Sequence, residues 1–214
     1  MEESNLWRAI RIGKTVEVSE NTCKWTDSYG RTILMAACFK GNLELVQRIL
    51  DAGADVNCVS MNKMSALMYA ADCSQSKIVS LLLEAGAHVD DVDNYNLTPL
   101  MFSICYGTSD VVALLLNAEA NVNARDKEHM TVLMYAVRYG TIDMTKMILS
   151  KKVEINSQDK YGWTALICAV RFRTFDFTRL LVRNGADVNI KDKSNKTATM
   201  HARYRGNTEI VRRN

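Results

Sequence analysis

Three histidines and six cysteines are the residues of this chain best suited to chemistry. His88, His129 and His201 would serve as general bases or zinc ligands. Cys23, Cys38, Cys58, Cys73, Cys105 and Cys168 would serve as nucleophiles, redox pairs or further ligands. Their spacing argues against each use. No histidine has a Ser, Cys or carboxylate at a recurring catalytic spacing. No two cysteines form C-x-x-C, and no histidine lies at zinc-finger distance from one. Walker loops, dinucleotide fingerprints and H-E-x-x-H are absent from the sequence. The expectation is a non-catalytic segment without cofactor or metal. Its thiols then act as small apolar side chains in a reducing compartment. His88 and His129 read as exposed turn residues.

The elements that would position any site follow from a repeat. "TVLMYAVRYG" at 131–140 has close variants in "TILMAACFKG", "SALMYAADCS" and "TPLMFSICYG". "AGADVN" at 52–57 returns as "AGAHVD", "AEANVN", "KKVEIN" and "NGADVN", each 33 residues after the last. Thr32, Ser65, Thr98, Thr131, Thr164 and Thr197 keep the same register. A fixed period of this size means stacked supersecondary units.

One unit is readable from its residues. An Asp and, three positions on, a Gly suit a tight turn. The Thr hydroxyl then caps a first helix. Leu34, Ala37 and Gly41 keep one side of that helix apolar and narrow. Leu43, Val46, Ile49 and Leu50 have the 3.6 period of a second, one-sided helix. Gly53 suits a left-handed helix end. Such a hairpin buries its apolar face only against neighbouring copies.

"DSYGRTILMAACFKGNLELVQRILDAGADVN" resembles an ankyrin repeat along its whole length. "DNYNLTPLMFSICYGTSDVVALLLNAEANVN" does too, and keeps the T-P-L of the family signature. The likeness covers nearly the whole chain and implies an all-α fold. That fold is an ankyrin-repeat solenoid of helix-turn-helix units with short β-turn or hairpin tips. The expected organisation is one domain, 1–214. A shortened cap unit lies at about 4–25, repeats at 27–59, 60–92, 93–125, 126–158 and 159–191, and an incomplete last unit at 192–214. The unfinished last helix suggests a piece of something longer. Lys152 and Arg173 replace glycines of the pattern, and Pro99 alone keeps the family's helix-starting proline.

After T-x-L stand Met35, Met68, Met101, Met134, Ile167 and Met200, where the family usually has His. Thioethers at this position either fill the space between units or offer an adaptable partner-binding surface. The buried side of the first helix favours filling.

Family members usually bind partners on the turn tips and the exposed side of the first helices. Carried over by register, the tips hold Tyr29, Arg31, Met64, Tyr95, Leu97, Met130, Tyr161 and Trp163. The first-helix ends hold Phe39, Tyr106, Arg138, Tyr139, Arg171, Phe172, Tyr204 and Arg205. This is the composition of interface hot spots. The resemblance therefore implies a protein-interaction scaffold that binds a partner peptide or helix in a concave groove. The alternative is RNA or other nucleic acid on the basic C-terminal half, with Arg on phosphates and rings on bases. The L-M-Y-A wording and shortened first unit are also similar to the ankyrin region of the GASZ family. That family comprises mitochondria-anchored germline scaffolds of the piRNA pathway.

Charge gives a weaker signal. Net charge is +3, but residues 1–107 carry nine Lys/Arg against thirteen Asp/Glu and residues 108–214 eighteen against eleven. The hydrophobic fraction of 48 % and charged fraction of 24 % are ordinary for a globular chain. No secretory apolar region opens the sequence and no apolar run reaches membrane-spanning length, so no membrane contact is expected from this segment. The expected location is cytoplasmic, with nuclear or outer mitochondrial placement depending on chain not seen here.

Overall fold

A computed structural model describes residues 6–13, 16–172 and 175–204, with only the backbone of Tyr204. These residues group into two compact units, Met1–Ala120 and Asn121–Asn214. The first holds α1 (Leu6–Arg11), α2 (Glu20–Cys23), α3 (Ile33–Lys40), α4 (Leu43–Asp51), α5 (Ala66–Asp72), α6 (Ser76–Glu84), α7 (Pro99–Tyr106) and α8 (Ser109–Asn117). Helices α1, α3, α5 and α7 stack in that order, with α4, α6 and α8 as a second layer. The second unit holds α9 (Val132–Arg138), α10 (Ile142–Leu149), α11 (Ala165–Phe172), α12 (Phe175–Arg183) and α13 (Ala198–Tyr204). Here α9, α11 and α13 stack, and α10 packs on α12. Among the described residues the only β pairing is three isolated antiparallel bridges at the turn bases, Thr26 with Thr32, Val59 with Ser65 and Arg125 with Thr131.

Local chemistry starts each first helix. The hydroxyls of Thr32, Ser65, Thr98, Thr131, Thr164 and Thr197 each accept the N–H three residues on, at 3.3–3.4 Å. In five of the six that N–H belongs to a methionine of the repeated column. At the first copy the Met35 thioether also accepts the Thr32 N–H, standing in for the carboxylate or amide of a capping box. Every residue from Ile33 to Cys38 is buried, so the helix is covered by its neighbours up to its exposed end at Phe39 and Lys40. Met35, Met68, Met101, Met134 and Ile167 are fully buried, whereas Met200 is 50 % exposed. Four of the five methionines of the column are therefore packing residues.

The second helices bury one face. In α4 that face is Leu45, Val46 and Ile49. The expected Leu43 is instead exposed, because it is the first residue of the helix and leaves its opening turn toward solvent.

The turns repeat as faithfully as the helices. Asp93, Asp126, Asp159 and Asp192 are buried, and one oxygen of each accepts the backbone N–H groups two and four residues on, at 2.8–2.9 Å. The turn residue at Gly30, Lys63, Asn96, His129, Gly162 and Asn195 is left-handed in every copy, with φ between 58° and 78°. His129 thus stands in a glycine position, as its place in the pattern suggested. Asparagines join consecutive loops: Asn57 accepts the His88 N–H and donates to the Gly86 carbonyl, and Asn123 does the same with Glu154 and Lys152. Arg173 lies outside the described residues.

Candidate interaction face

Each unit gathers aromatic rings and arginines at its turn tips and first-helix ends. In the first unit Tyr29, Phe39, Tyr95 and Tyr106 are exposed, while Arg31, Met64 and Leu97 are half-buried. Phe39, Trp7 and Tyr69 form a ring cluster with centroids 5.8–6.3 Å apart. The Arg31 guanidinium lies 3.9 Å over Trp7 and 5.0 Å from the Tyr29 ring. Both its Nε and Nη2 bond Asp27 Oδ2, at 2.7 and 2.6 Å. Burial pushes the Asp27 carboxyl up, but Arg31 and two turn N–H groups more than offset this and hold it below its usual value.

In the second unit Tyr139, Tyr161 and Phe172 are exposed, and Arg138, Trp163 and Arg171 are half-buried. Trp163 lies 5.9 Å from both the Tyr161 and Phe172 rings and 6.2 Å from His201. Arg171 sits 4.5 Å over Trp163 and 5.6 Å from Phe172; Arg138 sits 4.9 Å from Phe172 and 5.3 Å from Tyr139.

Met130, expected on this surface, is buried instead. Arg138 Nη1 lies 4.0 Å from its sulfur, so the arginine covers the thioether. The Tyr204 side chain and Arg205 lie outside the described residues.

Sequence reasoning missed the residues beneath this surface. His201 is 4 % exposed, with Nε2 2.8 Å from Asp192 Oδ2 and Nδ1 3.0 Å from Arg171 Nη1. Since arginine can only donate, Nδ1 accepts and Nε2–H donates to Asp192. Burial raises the Asp192 carboxyl, but the Lys196 N–H, His201 and the Ser194 N–H hold it below its usual value. Tyr135 bonds Asp126 Oδ2 in the equivalent way, at 2.8 Å. A polar side chain nine residues after the turn Asp was the legible signal.

The imidazole of this His–Asp pair is committed within the fold, with both ring nitrogens engaged. Cys168, in the adjacent copy of the same register, is 1 % exposed and burial, then Asp159, push its thiol up to about 12. Cys105 is pushed up to about 11 by burial, then Asp72, and Cys38 is raised still further by burial. No group of three or more metal-ligating residues occurs among the described residues. No described helix is long and apolar enough to cross a membrane.

Comparison with known proteins agrees with this geometry. The family model described as ankyrin repeats (3 copies) matches residues 6–93, 88–159 and 151–213. No curated protein matches the chain. Among solved structures, one similar chain is in "Bd0816 Predatory Endopeptidase from Bdellovibrio bacteriovorus in complex with immunity protein Bd3460". The two are 28 % identical with a TM-score of 0.77, covering 85 % of this chain and 97 % of that chain. It is one of 595 matching solved chains, so the likeness carries the repeat and not a particular partner. The period, the capped first helices, the Asp turns and these matches together place the chain in the ankyrin-repeat family.

Proposed function

We propose that this chain is a non-catalytic protein-interaction module that engages partners with its turn tips and first-helix ends. One observation carries the reading. Among the described residues thirteen large apolar side chains are exposed; seven are aromatic, and all seven occupy those positions: Tyr29, Phe39, Tyr95, Tyr106, Tyr139, Tyr161 and Phe172. Exposed aromatic residues confined to the turn tips and first-helix ends are the mark of a contact surface. The similar chain's presence in a complex of two proteins supports the same reading. Buried thiols held in the protonated form support a role without chemistry.

Photo-cross-linking tests this directly. Benzoylphenylalanine replaces Tyr95 or Tyr139 on the proposed face, and Lys77 or Arg179 on the second helices. The expected result is protein adducts from the tyrosine positions and none from Lys77 or Arg179. Adducts only from the second helices, or adducts degraded by nuclease and not by protease, would refute the reading.

A further inference from the structure

We propose that the Arg138–Arg171 stack of the second unit docks an acidic peptide segment. Its carboxylates meet the two guanidiniums, and a neighbouring apolar side chain meets the Phe172 and Tyr139 rings. This rests on the protein-interaction reading and names the chemistry of the partner.

The two units answer their stacked arginines differently. The first unit also stacks an arginine on aromatic rings, but Arg31 has its own counter-ion: two of its nitrogens bond Asp27. Its charge is answered within the turn. In the second unit two of the three turn carboxylates are bonded to other side chains. Asp126 Oδ2 accepts from Tyr135 and Asp192 Oδ2 from His201. Among the described residues Arg138 and Arg171 join no ion pair. Arg138 makes one long contact to the Met130 sulfur, and Arg171 one bond to His201. The Arg171 Nε is buried with no hydrogen-bond partner. A guanidinium carries five N–H donors, so most remain available on each. Both lie against the same Phe172 ring, which brings two cations without a direct ion pair beside one exposed apolar ring.

The surrounding field has the same sign. Residues 121–214 hold eighteen Lys and Arg against nine Asp and Glu, a net of +9. Asp126, Asp159 and Asp192 are three of the nine, and they are buried with an oxygen committed to turn N–H groups. The net positive charge attracts an anionic partner. A peptide fits better than a phosphate chain. Planar guanidiniums take carboxylates in bidentate fashion, and the exposed Phe172 and Tyr139 rings offer a neighbouring apolar side chain a contact. At the neighbouring tip Lys160 is paired with Glu128, which interrupts any continuous cationic track.

The test uses fluorescence anisotropy with three labelled probes: a nine-residue peptide of repeated Glu-Glu-Phe, the same peptide with Gln for every Glu, and a nonauridylate. The Glu peptide is expected to bind at least about tenfold more tightly than the Gln peptide and to weaken as salt rises. The R138A/R171A variant is expected to lose at least about tenfold in affinity, R179A on α12 to keep it, and R138K/R171K to fall between. Equal binding of the Glu and Gln peptides, undiminished binding by R138A/R171A, or no peptide binding at about 0.1 M salt would each overturn the proposal. Tighter binding of nonauridylate would overturn it in favour of nucleic acid. The probe comparison needs no variant, so a folding defect in the alanine pair leaves the test intact. Protein adducts at Tyr139 alongside a failed peptide test would leave the interaction reading standing and remove only the acidic partner.

Discussion

Met134 and Met200 occupy the same place in two copies of one repeat, yet Met134 is fully buried and Met200 is 50 % exposed. Replacing each by alanine separates packing from surface roles. Met134→Ala removes three heavy atoms from the space that α9 shares with α10 and α11. At roughly 0.8 kcal/mol per buried methylene-sized group the transfer loss is about 2.4 kcal/mol. Incomplete collapse of the cavity raises this to about 3 kcal/mol, within the range for buried Met→Ala changes. Met200→Ala removes a half-solvated side chain and should cost no more than about 0.5 kcal/mol. Urea titration followed by Trp163 fluorescence would measure both, since that ring lies in the second unit beside His201. A lesion inside a stack weakens two interfaces at once, so the Met134 variant should also broaden the transition. Equal, small losses at the two sites would refute the packing account of the methionine column and return it to a partner-binding surface.

Two further outcomes follow from the turns and the helix ends. Asp192 has a folded pKa below its unfolded one, so its contribution is present above about pH 4 and lost as pH falls through the folded value. Asp192→Asn should cost about 1–3 kcal/mol at pH 7, with the gap to wild type narrowing in urea titrations as pH falls below about 4; a gap that does not narrow would show that the charge does not matter. At Gly107 an added Cβ would lie 2.5 Å from the Ser103 carbonyl oxygen and 3.0 Å from that of Ala71, whereas at Gly53 it meets open space. Gly107→Ala should therefore cost about 1–3 kcal/mol, against about 1 kcal/mol for Gly53→Ala, where only the left-handed backbone is strained. Thermal melts ranking Gly53→Ala as the more damaging change would contradict this.

Much of the fold was legible because its determinants are local. The Thr caps reach three residues ahead and the turn carboxylates two and four. The period that repeats them reveals the helix pairs without any long-range information. The candidate face was legible only as a register. Tyr29, Tyr95, Tyr106, Tyr139 and Tyr161 are exposed where the pattern placed them. Met130 is not, because the side chain that covers it belongs to a residue eight positions on.

The sequence by itself therefore determined the repeat, its helices and turns, and which columns face inward, since each rests on contacts within a few residues. Tertiary structure decided which partner each side chain meets. Arg31 finds its counter-ion four residues away, whereas Arg171 is held by His201 thirty residues on and Arg138 lies against Phe172 in the next copy. His201 became a buried partner of Asp192 instead of a solvated histidine. Stacking brings each column into contact with a different neighbour, so identical registers acquire different burial and different charge balance. The pairing of Arg138 and Arg171 beside one Phe172 ring emerged only from that stacking.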